Sequence, residues 1–320
     1  MLVYILFVLG FIFLIKGADV LVKGSTIIAR KLQISDMVIG LTIVSFGTSM
    51  PELVVSLISS INGNSDLAIG NVLGSNIANT LLILGVSAMI SRLPIQNNTV
   101  LSEIPFSLIA TLLIGFLANA ALFENGKDLM ISRIDGIILL FFFLLFMLYI
   151  YRAAKDDTYT IETESVVSEG TYAKSITYIL VGVAGLFLGG KWVVDGAVLL
   201  AGALGMSESF IGLTVVAVGT SLPELVTSAM AAYRHKADIA VGNVIGSNIF
   251  NILWILGLSA TIYPLPFELI SNTDIIMIIF SSILLLIAVS MGKTYSIGRF
   301  SGIIFVLVYI GYIWYLFQRG

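Results

Sequence analysis

Two glutamates stand where a carboxylate is costly. Glu52 and Glu224 each lie in the middle of a long apolar stretch, inside the same local pattern, G-T-S-x-P-E, read from Gly47 and Gly219. A charged side chain at the centre of a membrane-spanning helix costs about 2.5–3.5 kcal/mol on insertion scales, so it persists where a partner or a ligand compensates it. The residues around both glutamates favour a ligand. Thr48 and Ser49 precede Glu52 by four and three positions, and Thr220 and Ser221 stand in the same way to Glu224. Hydroxyls at that spacing share the carboxylate's helical face. Pro51 and Pro223 lack an N–H, so the carbonyls four residues earlier, at Gly47 and Gly219, lose their helical donor. The pattern predicts a broken helix with freed carbonyls beside a carboxylate. At membrane depth such backbone is tolerated where protein, water or an ion satisfies it.

A second set of polar residues follows each glutamate. Asn71, Ser75 and Asn79 are spaced four apart, as are Asn243, Ser247 and Asn251. That spacing places each trio on one face of a helix. Gly70 with Gly74, and Gly242 with Gly246, form G-x-x-x-G, which lets another helix approach closely. Asn76 and Asn248 read as hydrogen-bonding glue between helices. The pooled ligands are carboxylate, hydroxyl, carbonyl and amide oxygens. The chain has 0 Cys, and its only histidine, His235, lies in a loop between Arg234 and Lys236. An all-oxygen set suits hard cations such as Ca²⁺ and Na⁺ over Zn²⁺ or Cu²⁺. Two carboxylates are neutralised by one Ca²⁺ or by two Na⁺, and a charged empty site resists crossing the membrane. That is the physical basis of antiport.

The elements that must position these groups are membrane spans. Of 320 residues, 58% are hydrophobic and 11% charged, with a mean hydropathy of +1.06. This excludes a soluble enzyme and a disordered protein, and the net charge of -3 offers no basic stripe for a nucleic acid. Without cysteine there is no disulfide framework or thiol catalysis. Apolar stretches of about 20 residues fit a bilayer, and ten of them can be counted, five on each side of one long polar loop. The chain therefore divides into a first five-helix unit at 1–152, a connecting loop at 153–173 and a second five-helix unit at 174–320. With the N-terminus outside, ten basic residues fall in inside segments against three outside, Lys127, Arg133 and Arg319. The positive-inside rule thus puts both termini outside and the long loop in the cytoplasm. That loop carries Asp156, Asp157, Glu162, Glu164 and Glu169 and reads as a solvated connector. Asp19 with Lys23, and Lys191 with Asp195, are spaced to pair within their helices.

The halves are copies. GLTIVSFGTSMPELVVS from Gly40 aligns with GLTVVAVGTSLPELVTS from Gly212, and DLAIGNVLGSNIAN from Asp66 with DIAVGNVIGSNIFN from Asp238, both at an offset of 172. The offset holds without a gap from Gly17/Gly189 to Ile90/Ile262. An odd number of spans per copy makes the second copy enter from the opposite face, an inverted-topology repeat.

At these residues the chain resembles the cation/Ca²⁺ exchanger superfamily, especially prokaryotic sodium/calcium exchangers. G-T-S-x-P-E and G-N-x-x-G-S-N, each repeated, match that family's two alpha-repeats. The resemblance implies an all-α membrane protein of ten helices, with spans two and seven, and also three and eight, broken around the ion sites. It implies that Glu52, Glu224 and the carbonyls of Thr48 and Thr220 form a Ca²⁺ site. Ser49, Ser75, Ser221 and Ser247, with the carbonyls of Ser45 and Ala217, would complete Na⁺ sites, and Asn79 and Asn251 are amide ligand candidates. The first and sixth helices would slide across this core. Some members carry an Asp where this chain has Asn251, which leaves two carboxylates rather than three. The implied activity is Na⁺/Ca²⁺ antiport in a prokaryotic plasma membrane, with Ca²⁺ and Na⁺ as transported ions, no cofactor and no obligatory protein partner. The alternatives are H⁺-coupled or K⁺-dependent exchange, and more remotely a cation channel. An intramembrane enzyme would need a nucleophile with a base, or a metal-bound water, and no buried His or Cys supplies one.

Overall fold

The structure, a computed structural model, describes residues 2–123, 129–155, 171–203, 217–291 and 295–319. The acidic residues of the connecting loop, and the stretch 210–216 with which span seven was expected to begin, lie outside the described residues. Helix α1 is Leu2–Leu32. A bent pair follows, α2 (Asp36–Thr48) and α3 (Met50–Ile61), meeting at 49°. Then come α4 (Ser65–Ile90), α5 (Thr99–Ala118) and α6 (Arg133–Lys155). The second half contains α7 (Tyr172–Ala203), α8 (Ala217–Thr220) and α9 (Leu222–Tyr233). It ends with α10 (Ala237–Ile262), α11 (Leu269–Ser290) and α12 (Arg299–Arg319). Eight of the described helices are long and apolar enough to cross a membrane, nine spans if the bent pair counts as one. The described part of the expected seventh span is α8 with α9.

The breaks in spans two and seven fall where the prolines predict, with one refinement. Pro51 and Pro223 sit in the first turn of α3 and α9, where a missing N–H costs nothing. The turn itself is made two residues earlier. Ser49 (φ −82°, ψ 7°) and Ser221 (φ −85°, ψ 5°) occupy the sparsely populated bridge between helical and extended backbone. The expected breaks in spans three and eight are not there. Both α4 and α10 run continuously, and each instead widens into a π-helical stretch, Ala78–Ile83 and Phe250–Leu256. No proline interrupts these segments, so the i→i−5 bonds keep the backbone satisfied while the side chains turn to a new azimuth.

Helices α4 and α10 form the centre, and α10 is the most deeply buried span, with 94% of its apolar window inside the protein. Glycines set four close crossings among the described residues: Gly85 meets Gly302 where α4 packs on α12, Gly136 meets Gly257 where α6 packs on α10, and the remaining two lie at α2 on α10 and α1 on α7. A Cβ on Gly242 would lie 2.9 Å from the Met37 carbonyl and 3.0 Å from Leu41 N, and one on Gly246 would lie 2.8 Å from the Leu41 carbonyl. The second G-x-x-x-G is therefore where α2 rests on α10. Gly70 and Gly74 have no described neighbour within 4 Å, and the corresponding stretch of the other half, 209–216, lies outside the described residues. The fourth crossing joins α1 to α7. Gly10 faces Gly189, and Gly17 faces Gly182, so the two helices run antiparallel with backbone against backbone.

Short two-residue strands tie the loops. Leu93–Pro94 (β1) pairs antiparallel with Ser296–Ile297 (β4), and Met130–Ile131 (β2) with Leu265–Pro266 (β3). The intrahelical pair Asp19–Lys23 forms at 2.8 Å, and Arg234 also reaches Asp19.

Candidate ion-binding site

The two glutamates are 1% exposed, and each is met by hydroxyls of the opposite half. Ser49 Oγ donates to Glu224 Oε1 at 2.8 Å and lies 2.9 Å from Ser247 Oγ. Ser221 Oγ donates to Glu52 Oε1 at 3.3 Å and lies 3.3 Å from Ser75 Oγ. The bridge-region turn explains why. It rotates Ser49 and Ser221 out of their helices toward the partner copy, while the following helical turn aims each glutamate inward. Serine hydroxyls rather than the lysines of spans one and six meet the carboxylates. Each glutamate keeps one oxygen, Oε2, buried and without a hydrogen-bond partner among the described residues. A buried carboxylate oxygen left this way is costly unless a cation or polar group compensates it.

The threonines and outer asparagines form a supporting layer. Thr48 Oγ1 donates to Asn243 Oδ1 at 3.0 Å, and Thr220 Oγ1 donates to Asn71 Oδ1 at 3.2 Å. Asn71 Nδ2 reaches the Glu52 carbonyl at 3.3 Å and Ser56 Oγ at 2.9 Å; Asn243 Nδ2 reaches the Glu224 carbonyl at 3.5 Å and Ser228 Oγ at 2.9 Å. Both threonine hydroxyls thus engage an asparagine of the other half. The Ser45 carbonyl accepts from Ser49 N at 3.0 Å and lies 3.3 Å from Thr48 Oγ1, whose single proton serves either this carbonyl or Asn243 Oδ1. Ala217 opens α8 at the edge of the described residues.

Asn79 and Asn251 are each 1% exposed, and each has its Oδ1 buried without a partner among the described residues. Four oxygens, two carboxylate and two amide, therefore remain for a guest. No group of three or more His, Cys, Asp or Glu side chains gathers anywhere among the described residues, so any cation held here rests on two carboxylates plus neutral oxygens. Sequence reasoning missed Ser56 and Ser228. Their signal was available, since they fall at the same offset of 172 and one helical turn past each glutamate.

A bundle of apolar helices closed around buried carboxylate, hydroxyl and amide oxygens belongs to the cation exchangers. The sequence model of the sodium/calcium exchanger protein family matches residues 2–152 and 174–318, and the chain belongs to that family. Sodium/calcium exchanger MaX1 of Methanosarcina acetivorans is 35% identical over 349 residues, covering 98% of this chain and 98% of its own. The inner membrane protein YrbG of Escherichia coli (strain K12) is 38% identical over 267 residues, covering 81% of this chain and 79% of its own. The solved structure of the sodium-calcium exchanger NCX_Mj soaked with 2.5 mM Na⁺ and 0.1 mM Ca²⁺ superposes with a TM-score of 0.81 at 34% identity, covering 98% of both chains. The resemblance read from the repeated motifs is borne out. The chain is an integral membrane protein of a transporter family, built for cation/Ca²⁺ exchange rather than catalysis.

Proposed function

We propose that this chain exchanges Na⁺ for Ca²⁺ by alternating access at one shared site. The ligands are Glu52, Glu224, Ser49, Ser221, Ser75, Ser247, Asn79 and Asn251, with the carbonyls of Thr48 and Thr220 and, in the Na⁺-loaded state, of Ser45 and Ala217. The observation that carries the reading is the pair of crossed Ser–Glu contacts, which leave one oxygen of each buried carboxylate for the ion. The crossing makes occupancy a joint property of both halves, as a carrier requires and an open pore does not. The test is Ca²⁺ uptake into proteoliposomes under imposed Na⁺, K⁺ or H⁺ gradients. An outward Na⁺ gradient is expected to drive uptake; uptake driven by H⁺ alone would overturn Na⁺ coupling. A proton competes with the cation for the same oxygens, so exchange falls as the medium is made acid. A rate independent of pH would count against carboxylate ligands.

The topology belongs to the same proposal: ten crossings in two inverted units, 1–152 and 174–320, joined by a cytoplasmic loop at 153–173, with both termini outside a prokaryotic plasma membrane. Its support is parity. β1 and β4 share one side of the membrane, so an even number of crossings separates them. The spans α5, α6, α7, α10 and α11 lie between them, and the count becomes even once the segment ending in α9 is also a crossing. The Tyr172 hydroxyl reaches the Lys31 carbonyl at 3.2 Å, which in the same way supports a single crossing by α2 with α3. The antiparallel packing of α1 on α7 fits opposite entry of the two copies. Because the chain has 0 Cys, single cysteines report sidedness without background. Asn64→Cys is expected to react with an impermeant thiol reagent from outside, and His235→Cys only from inside. The reverse pattern would invert the assignment.

A further inference from the structure

Four asparagines and a threonine from α4 and α10 form a connected chain of amide contacts. Asn251 Nδ2 donates to Asn76 Oδ1 at 3.0 Å, and Asn76 Nδ2 donates to the Asn248 main-chain carbonyl at 3.1 Å. Asn79 Nδ2 donates to Asn248 Oδ1 at 3.0 Å, and Asn248 Nδ2 donates to Thr80 Oγ1 at 2.9 Å. All five residues are 5% exposed or less. A side-chain amide has a donating and an accepting end of nearly the same shape, so its orientation is set by what its partners can do. A main-chain carbonyl only accepts. It holds the Asn76 NH₂ toward itself, which turns Asn76 Oδ1 to Asn251, which in turn engages the Asn251 NH₂. The end left over is Asn251 Oδ1, one of the buried oxygens without a partner among the described residues. The route from Thr80 through Asn248 leaves Asn79 Oδ1 in the same condition.

We propose that Asn76 and Asn248 are positioning residues for ion exchange: they hold the Asn251 and Asn79 amides with the oxygen, not the NH₂, presented to the cation. This rests on the ion-site reading above. An amide turned the other way would put N–H dipoles against a cation, so orientation decides whether each group attracts or repels. The two arms differ. The Asn251 arm ends on a carbonyl and admits one orientation. The Asn79 arm ends on a hydroxyl, which can donate as well as accept, and the residue at the offset of 172 from Thr80 is Ile252. In the second arm the Thr80 hydroxyl accepts from Asn248, an orientation that a hydroxyl permits and a main-chain carbonyl would impose.

The test is a pair of double-mutant cycles, read as KM for Ca²⁺ and for Na⁺ in proteoliposomes. Asn251→Ala is expected to raise KM for at least one ion by about tenfold. Asn76→Leu should raise it by a similar factor in the wild-type background and leave it unchanged in the Asn251→Ala background. Additive effects, or an unchanged KM in Asn76→Leu, would reduce Asn76 to packing and overturn the proposal. The second cycle pairs Thr80→Val, close to isosteric, with Asn79→Ala and carries the test should Asn76→Leu fail to fold; its prediction is the same non-additivity, with the same overturning result. Glu52→Gln run in parallel separates the two levels. Transport lost in Glu52→Gln with additive asparagine cycles rejects the positioning role alone, and transport retained in Glu52→Gln rejects the ion site itself.

Discussion

Glu52→Gln and Glu224→Gln are each expected to lower kcat/KM for Ca²⁺ by at least about 100-fold. Removing one member of a buried, compensated charge pair costs about 3–5 kcal/mol, and each 1.4 kcal/mol is a factor of ten. Glutamine keeps the volume and still offers an oxygen to Ser221 or Ser49, so the fold should survive. A thermal unfolding midpoint in detergent within a few degrees of wild type would show that. Both variants should fail, because each carboxylate leaves its Oε2 buried and without a hydrogen-bond partner among the described residues. One functional variant would mean that a single carboxylate suffices and that the site is not shared between halves.

The second large effect is expected at the α1–α7 crossing. A Cβ on Gly189 would stand 2.7 Å from the Gly10 carbonyl and 2.8 Å from Leu14 N, and one on Gly17 would stand 2.9 Å from Leu186 N. These neighbours are main chain and cannot rotate away. Gly189→Leu and Gly17→Leu therefore push the two helices apart, at a cost above the roughly 1–3 kcal/mol of ordinary overpacking. The expected result is loss of transport with a lowered unfolding midpoint. The corresponding alanine variants should fall between leucine and wild type. Gly311→Leu, at a position with no heavy atom within 4 Å, is the control and should transport normally. If Gly189→Leu behaved like Gly311→Leu, the close crossing would not exist in the membrane.

Much of this was legible before any coordinates. The glutamates, their serines and the proline breaks announce themselves because polar residues repeat at one offset against an apolar background. What the residues alone could not reveal is which half a side chain would address. Helical spacing places Ser49 on the face of its own Glu52, yet Ser49 bonds Glu224, because a bridge-region turn at Ser49 itself redirects it. Spacing likewise places the Thr48 hydroxyl on the face of Glu52, whereas it donates to Asn243 of the other half. The widening of α4 and α10 was hidden because no residue type marks a π-helical turn as proline marks a break. The α1–α7 contact does carry a signal in the sequence, since Gly10, Gly17 and Gly24 and again Gly182, Gly189 and Gly196 recur every seven residues.

The crossed serine–glutamate contacts have a consequence for where such a protein comes from. Ser49 touches Glu224, and its counterpart Ser221 touches Glu52. Reciprocity of that kind is the mark of an isologous interface, in which the same patch on two copies meets itself around a two-fold axis. Had the halves been separate, identical chains, these would be one contact made twice, and the ion would sit on the symmetry axis of a homodimer. Fusion keeps that dimer interface as an interior and frees the copies to diverge. Thr80 facing one asparagine arm, with Ile252 at its counterpart, is such a divergence.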